Sequence, residues 1–139
     1  PLADINLEGV KVRHVPWQKE TEVDQLRQLD VGIMSLFAAE DWDRYKCGLK
    51  LIQYMAAGIP AVATPVGVNA SIIDHGRNGF LAESDDDWAT HLRTLASDLA
   101  LRQSIGNAAR ETAAAKYSIE ANYPRYKAAL LRLMEERES

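Results

Sequence analysis

The sequence predicts an α/β fold in which a parallel sheet is covered by helices on both faces, and three observations carry the prediction. Residues 61–63 (Ala-Val-Ala) form an apolar run too short for a helix, as expected of an inner strand in a parallel sheet. An apolar helical stretch runs into that strand and stops at Gly58, suited to a left-handed cap, with Pro60 beyond it unable to continue the helix. A second buried run, residues 30–37, also follows a helical pattern, so helix and strand alternate along the chain.

A chain of 139 residues buries one moderate core and is expected to be a single domain over residues 1–139. A charged fraction of 26% and a net charge of -4 are those of an ordinary soluble domain and give no reason to expect nucleic acid as a partner. No apolar run is long enough to span a bilayer, and no signal-peptide pattern opens the sequence. The single cysteine, Cys47, excludes an internal disulfide and fits a reducing compartment; it reads as a small buried residue rather than a nucleophile.

Taken in order, residues 7–17 alternate Val10, Val12 and His14 and predict a strand that emerges into a Pro16-Trp17 loop, after a frayed connection. Residues 21–29 predict a helix capped by Thr21, with acidic residues in the first turn and Val23, Leu26 and Leu29 on one face. The strand over residues 30–37 ends in an irregular polar and aromatic loop, residues 38–45, at the sheet end where open α/β sheets bind ligands.

The next helix places Leu49, Ile52 and Ala56 at i, i+3, i+7, with Leu51 and Met55 beside them, so most of its girth is apolar. Lys46, Lys50 and Gln53 make one polar stripe at i, i+4, i+7. The free backbone N–H groups of a first helical turn lie at the positive end of the dipole, so Cys47, Gly48 and Leu49 are placed to hold an anion beside the lysines. The bland alternative is that this stripe is only the solvated edge of a packed helix.

After the strand at residues 61–63, the loop of residues 65–69 (Pro-Val-Gly-Val-Asn) occupies the equivalent sheet end, so it should face the first loop. Residues 70–75 make a short helical turn, and Arg77-Asn78-Gly79 signals a turn before a strand at residues 80–82. His75 reads as a solvated turn histidine rather than an acid or base. The acidic run at residues 85–87 reads as the start of a helix, not a metal site, and Trp88, Leu92, Leu95 and Leu99 give that helix its apolar face. Residues 101–115 predict a further helix with Ile105, Ala108 and Ala109 inward, broken at Tyr117-Ser118. A C-terminal helix over residues 119–136 carries Tyr123, Tyr126, Leu130 and Met134 on one side.

Three blocks, residues 50–69, residues 75–82 and Arg102 through Tyr117-Ser118, resemble in order and spacing the C-terminal half of family 4 (group 1) glycosyltransferases of the GT-B fold. The resemblance implies a Rossmann-like three-layer α/β/α domain that binds the nucleotide-sugar donor, such as a UDP- or GDP-sugar, with no cofactor or metal. It implies a missing N-terminal acceptor domain, sugar transfer with retention, and roles in glycan, lipid or polysaccharide biosynthesis. By the same resemblance the intact enzyme is cytoplasmic, with membrane-surface association at the inner face, and the isolated domain is inactive. The last helix returns toward the N-terminal domain in this family, so Tyr123, Tyr126 and Leu130 are expected either to remain partly exposed or to be buried in a dimer.

Residue by residue, the resemblance puts the donor's diphosphate over Gly48 and Leu49 with help from Lys50, the ribose at Gln53, the sugar near Gly67, Val68 and Asn69, and the base beside Val15, Pro16 and Trp17. The family's two glutamates, eight positions apart, fall on Tyr45 and Gln53, and a third acid falls on Ser71. Gln53 keeps an acceptor for a ribose diol, and replacing it by glutamate is expected to tighten ribose binding. Tyr45 cannot do the work of a carboxylate, so either Glu40, Asp41 or Asp43 substitutes or the sugar is held differently, and the catalytic residues stay unassigned. The alternative function is a degenerate, non-catalytic nucleotide-binding or interaction domain descended from such an enzyme; a GT-B-fold epimerase fits less well because its acid and base residues have no place here.

Overall fold

A computed structural model describes residues 9–36 and 41–138, with side chains through residue 136. The elements are α1 (Glu22–Leu26), β1 (Gly32–Met34), α2 (Asp41–Arg44), α3 (Leu49–Ala57), β2 (Ala61–Ala63), α4 (Asn69–Ile72), β3 (Phe80–Leu81), α5 (Asp85–Ser97), α6 (Leu99–Tyr117) and α7 (Ile119–Glu138). The strands form one parallel sheet in the order β1-β2-β3, with Ile33 opposite Val62 and Val62 opposite Phe80.

Because side chains alternate across a strand, β2 divides its three buried residues between the two faces. Ala61 and Ala63 join Met34, Leu51, Met55, Ala109 and Ala113 in the larger core beneath α3 and α6. Val62 faces the other way and joins Ala82 and Leu95, with Trp88 and Leu92 of α5 packed against them. This gives the expected three layers: α3 and α6, the sheet, then α5.

Helix α3 ends as its sequence predicts. Gly58 adopts φ 75°, its N–H bonds the Met55 carbonyl, and the Ile59 N–H bonds that of Tyr54, each at 2.9 Å, so the helix is closed by a Schellman motif. α6 crosses at that point: Gly106 lies so close to the Gly58 carbonyl that a β-carbon there would clash with it. The acidic run starting α5 is consumed by a capping box, in which Ser84 Oγ accepts from the Asp87 N–H and Asp87 Oδ2 accepts from the Ser84 N–H. These backbone and hydroxyl bonds hold the Asp87 carboxyl below the usual aspartate range. Arg102, near the start of α6, donates to the carbonyls of Leu95 and Ala96 at the end of α5, tying the two helices together.

Several expectations are corrected. Residues 10–17 form no strand; Val10, Val12 and Val15 are exposed, because no backbone among the described residues pairs with them and the sheet of described strands begins at β1. The connection expected before that strand lies outside the described residues. The first helix covers only Glu22–Leu26, with Val23 and Leu29 exposed, and β1 is three residues long. The 38–45 loop contains the single helical turn α2, while its beginning lies outside the described residues. In α3 the buried stripe is Leu51 and Met55; Leu49 and Ala56 face outward. Leu99 is exposed because the chain turns at Asp98, whose carboxylate caps α6, while that helix ends at Tyr117-Ser118 as expected. The C-terminal helix agrees with expectation: α7 buries none of its side chains through residue 136, and Tyr123, Tyr126 and Leu130 are exposed as foreseen, with Met134 beside them. No described helix is long and apolar enough to cross a membrane.

Candidate functional site

The exits of β1 and β2 are bonded to each other. Thr64 Oγ1 accepts from the Leu36 N–H at 2.9 Å and the Thr64 N–H donates to the Met34 carbonyl at 3.2 Å, so the two loops leave the same sheet end side by side. They then meet as expected. A β-carbon built on Gly67 would lie 2.5 Å from the Arg44 carbonyl oxygen, and one built on Gly48 would meet Ile72 and come within 3.2 Å of Val68 Cγ2. Both glycines have positive φ, 66° at Gly48 and 58° at Gly67, where only glycine combines the backbone turn with the close approach.

Gly48 is the N-cap of α3 and offers no side chain to its first turn, so the free N–H groups there keep no capping partner from the cap residue. Leu49 and Lys50 are exposed at this end. Lys46 precedes the helix and pairs with the buried Asp43 at 2.6 Å, so the polar stripe along α3 reduces to Lys50 and Gln53. Cys47 is exposed, not buried, because it lies in the linker between α2 and α3.

Asn69 is fully buried. Its Nδ2 donates to the Thr64 carbonyl at 3.0 Å, which ties the second loop to β2, while its Oδ1 has no hydrogen-bond partner among the described residues. The side chain therefore sits where it positions the loop against Gly48, and the outer surface of that loop is made by Gly67 and Val68. Ser71 Oγ donates to the Val68 carbonyl at 2.8 Å and is part of the same turn.

Gln53 has a partner that the sequence reading did not assign. Its Nε2 donates to Glu22 Oε1 at 3.0 Å, bringing a carboxylate from the first turn of α1 to the middle of α3. Glu22, Gln53 and Arg110 share a cavity of about 220 Å³ between α1, α3 and α6. The only signal for Glu22 was its place in an acidic first turn, which any helix start explains. At the other end of α3, Tyr45 and Trp42 rim an apolar cavity of about 530 Å³ that reaches Gly48 and Lys50. Trp17 is exposed, and Glu40 lies outside the described residues. His75 Nδ1 accepts from the Leu81 N–H at 3.0 Å and its ring meets Phe80 and His91 edge-on, a structural placement at the edge of the sheet.

The family model described as "Glycosyl transferases group 1" matches residues 2–98. The chain belongs to the group 1 glycosyltransferases. Among other glycosyltransferases, it is 32% identical over 110 residues to the D-inositol 3-phosphate glycosyltransferase of Pseudarthrobacter chlorophenolicus, covering 78% of this chain and 25% of that protein. It is 42% identical over 69 residues to the sulfoquinovosyl transferase SQD2 of Arabidopsis thaliana, covering 46% of this chain and 14% of the relative. The crystal structure of the C-terminal domain of a group 1 family glycosyltransferase (LpcC) from Francisella tularensis superposes with a TM-score of 0.61 at 25% identity, covering 77% of this chain and 53% of that one. This group 1 glycosyltransferase chain thus has the fold of that C-terminal domain and spans about a quarter or less of the length of these curated relatives.

Proposed function

We propose that the chain is the donor-binding domain of a family 4 glycosyltransferase that transfers a sugar from a nucleotide-sugar to a glycan or lipid acceptor with retention. The observation that carries the reading is the arrangement along α3: an open first turn at Gly48 to Lys50, then Gln53 one turn on, held by Glu22. The donor's diphosphate lies over the first turn, where free N–H groups and the Lys50 ammonium meet its charge. As the bond from the sugar's anomeric carbon to the phosphate oxygen breaks, the same groups stabilise the charge left on the diphosphate. The ribose lies at Gln53, with the Glu22 carboxylate within reach of a ribose hydroxyl, and Gly67 and Val68 close the second side. The acceptor is bound by a separate N-terminal domain, for which the greater length of the relatives leaves room.

Titration of the ¹⁵N-labelled chain with UDP, GDP and ADP at millimolar concentration tests this. Shifts are expected at residues 47–53 and 67–69 with one nucleotide; no shift with any of the three removes the reading. The second reading, a non-catalytic descendant, is favoured by Tyr45 and Gln53 standing where the family has glutamates. It predicts that nucleoside diphosphates bind while the full-length protein carries out no transfer.

A further inference from the structure

We propose that Trp42 and Tyr45 form an aromatic wall on which the donor's sugar ring stacks through an apolar C–H face, in place of a carboxylate that would grip its hydroxyls. The inference rests on the donor-site reading above and specifies how that site holds its sugar. Trp42 and Tyr45 stand three residues apart on one turn, closed by the Tyr45 N–H donating to the Trp42 carbonyl at 3.2 Å. Both line the 530 Å³ cavity, yet their side chains are 74% and 83% exposed, an unfavourable display of apolar surface unless something covers it.

The chemistry of the cavity favours a ligand with an apolar face and an anionic end. Ile33 and Leu49 extend the apolar wall, and Lys50 stands at the mouth beside the first turn of α3. Concave sites that combine aromatic walls with a few placed polar groups are the usual form of a small-molecule site. A sugar joined covalently to a phosphate at Gly48 to Lys50 must lie within a bond or two of that turn, which is where this cavity opens. Of the two carboxylates on the same turn, Asp43, between the two aromatics, points inward, is 4% exposed and pairs with Lys46, while Asp41 is exposed and does not line the cavity. The wall is also anchored, since the Arg44 backbone preceding Tyr45 packs directly on Gly67.

Calorimetric titration of the chain and of its Trp42→Ala and Tyr45→Ala variants, with UDP, GDP and ADP and with UDP-glucose, GDP-mannose and ADP-glucose, tests the wall. The sugar conjugate of the recognised nucleotide should bind about 3- to 10-fold more tightly than the diphosphate alone, the size of an aromatic contact beyond simple burial. Each substitution should remove that advantage and leave the diphosphate affinity unchanged; both positions are exposed, so the variants keep the fold. Equal affinity for diphosphate and conjugate, or an advantage that survives both substitutions, overturns the wall and leaves the donor site standing. Failure of every nucleotide to bind overturns the donor site and the wall with it. A Trp42 indole N–H signal that moves with decyl phosphate but with no conjugate overturns the wall in favour of an acceptor's apolar chain.

Discussion

Gln53 Nε2 lies 3.0 Å from Glu22 Oε1, so the position onto which the family resemblance puts a glutamate meets a carboxylate supplied by another helix. Here a glutamine does what a second acid could not, because two carboxylates at this distance would repel.

The pair reverses the expectation for Gln53→Glu. The substitution should weaken nucleotide binding and lower stability at neutral pH by about 0.5–1.5 kcal/mol, the loss of one hydrogen bond. Adding Glu22→Gln should restore most of that loss by exchanging donor and acceptor. Urea unfolding of both single variants and the double variant measures the coupling, and simple additivity would refute it.

Gly67→Ala should cost about 1–3 kcal/mol, since the residue has positive φ and its β-carbon would press on the Arg44 carbonyl. Gly76→Ala is the control: it too has positive φ, 78°, but no atom lies within 4 Å of its β-carbon position. The difference between their unfolding midpoints reads the loop-to-loop contact by itself.

Asp87 gives a pH signature. Its folded carboxyl titrates below the ordinary aspartate value, so its stabilising effect is present above that value and is lost as pH falls through the lowered one. The Asp87→Asn variant should be less stable than the parent at pH 7, with the gap closing as the solution is acidified into the carboxylate range. Melting curves across that range check it, and a constant gap would mean the capping bonds to Ser84 and Glu83 do not depend on charge.

Removing residues 119–139 should leave the unfolding midpoint of the remaining chain nearly unchanged, because no described side chain of α7 is buried. A large drop would show that α7 is covered in solution, by a second copy or otherwise, which comparing sedimentation of the two lengths would reveal.

Much of the fold was legible because it rests on local chemistry. Gly58 and Pro60 announced the end of α3, Ala61–Ala63 announced a strand covered on both faces, and Asp85 to Asp87 announced a helix start. Val10 and Val12 misled because alternation says that a segment suits a strand, not that a neighbour is there to pair with it. In the site, the loops of residues 38–45 and 65–69 were foreseen as facing each other, as Arg44 and Gly67 do, since parallel-sheet topology dictates where loops emerge. Glu22 was not, because its meeting with Gln53 spans 31 residues and depends on how α1 docks, which no local pattern encodes.

The crossing of Gly106 on Gly58 bears on this site from a distance. Ten residues separate Gly58 from Gly48, so the clamp and the open turn are about 15 Å apart along one rigid helix. α3 is thus a lever with its fulcrum at the end away from the turn proposed to hold phosphate. A bulkier residue at 106 would tilt it there and swing the working end most, detuning recognition through a position that touches no ligand.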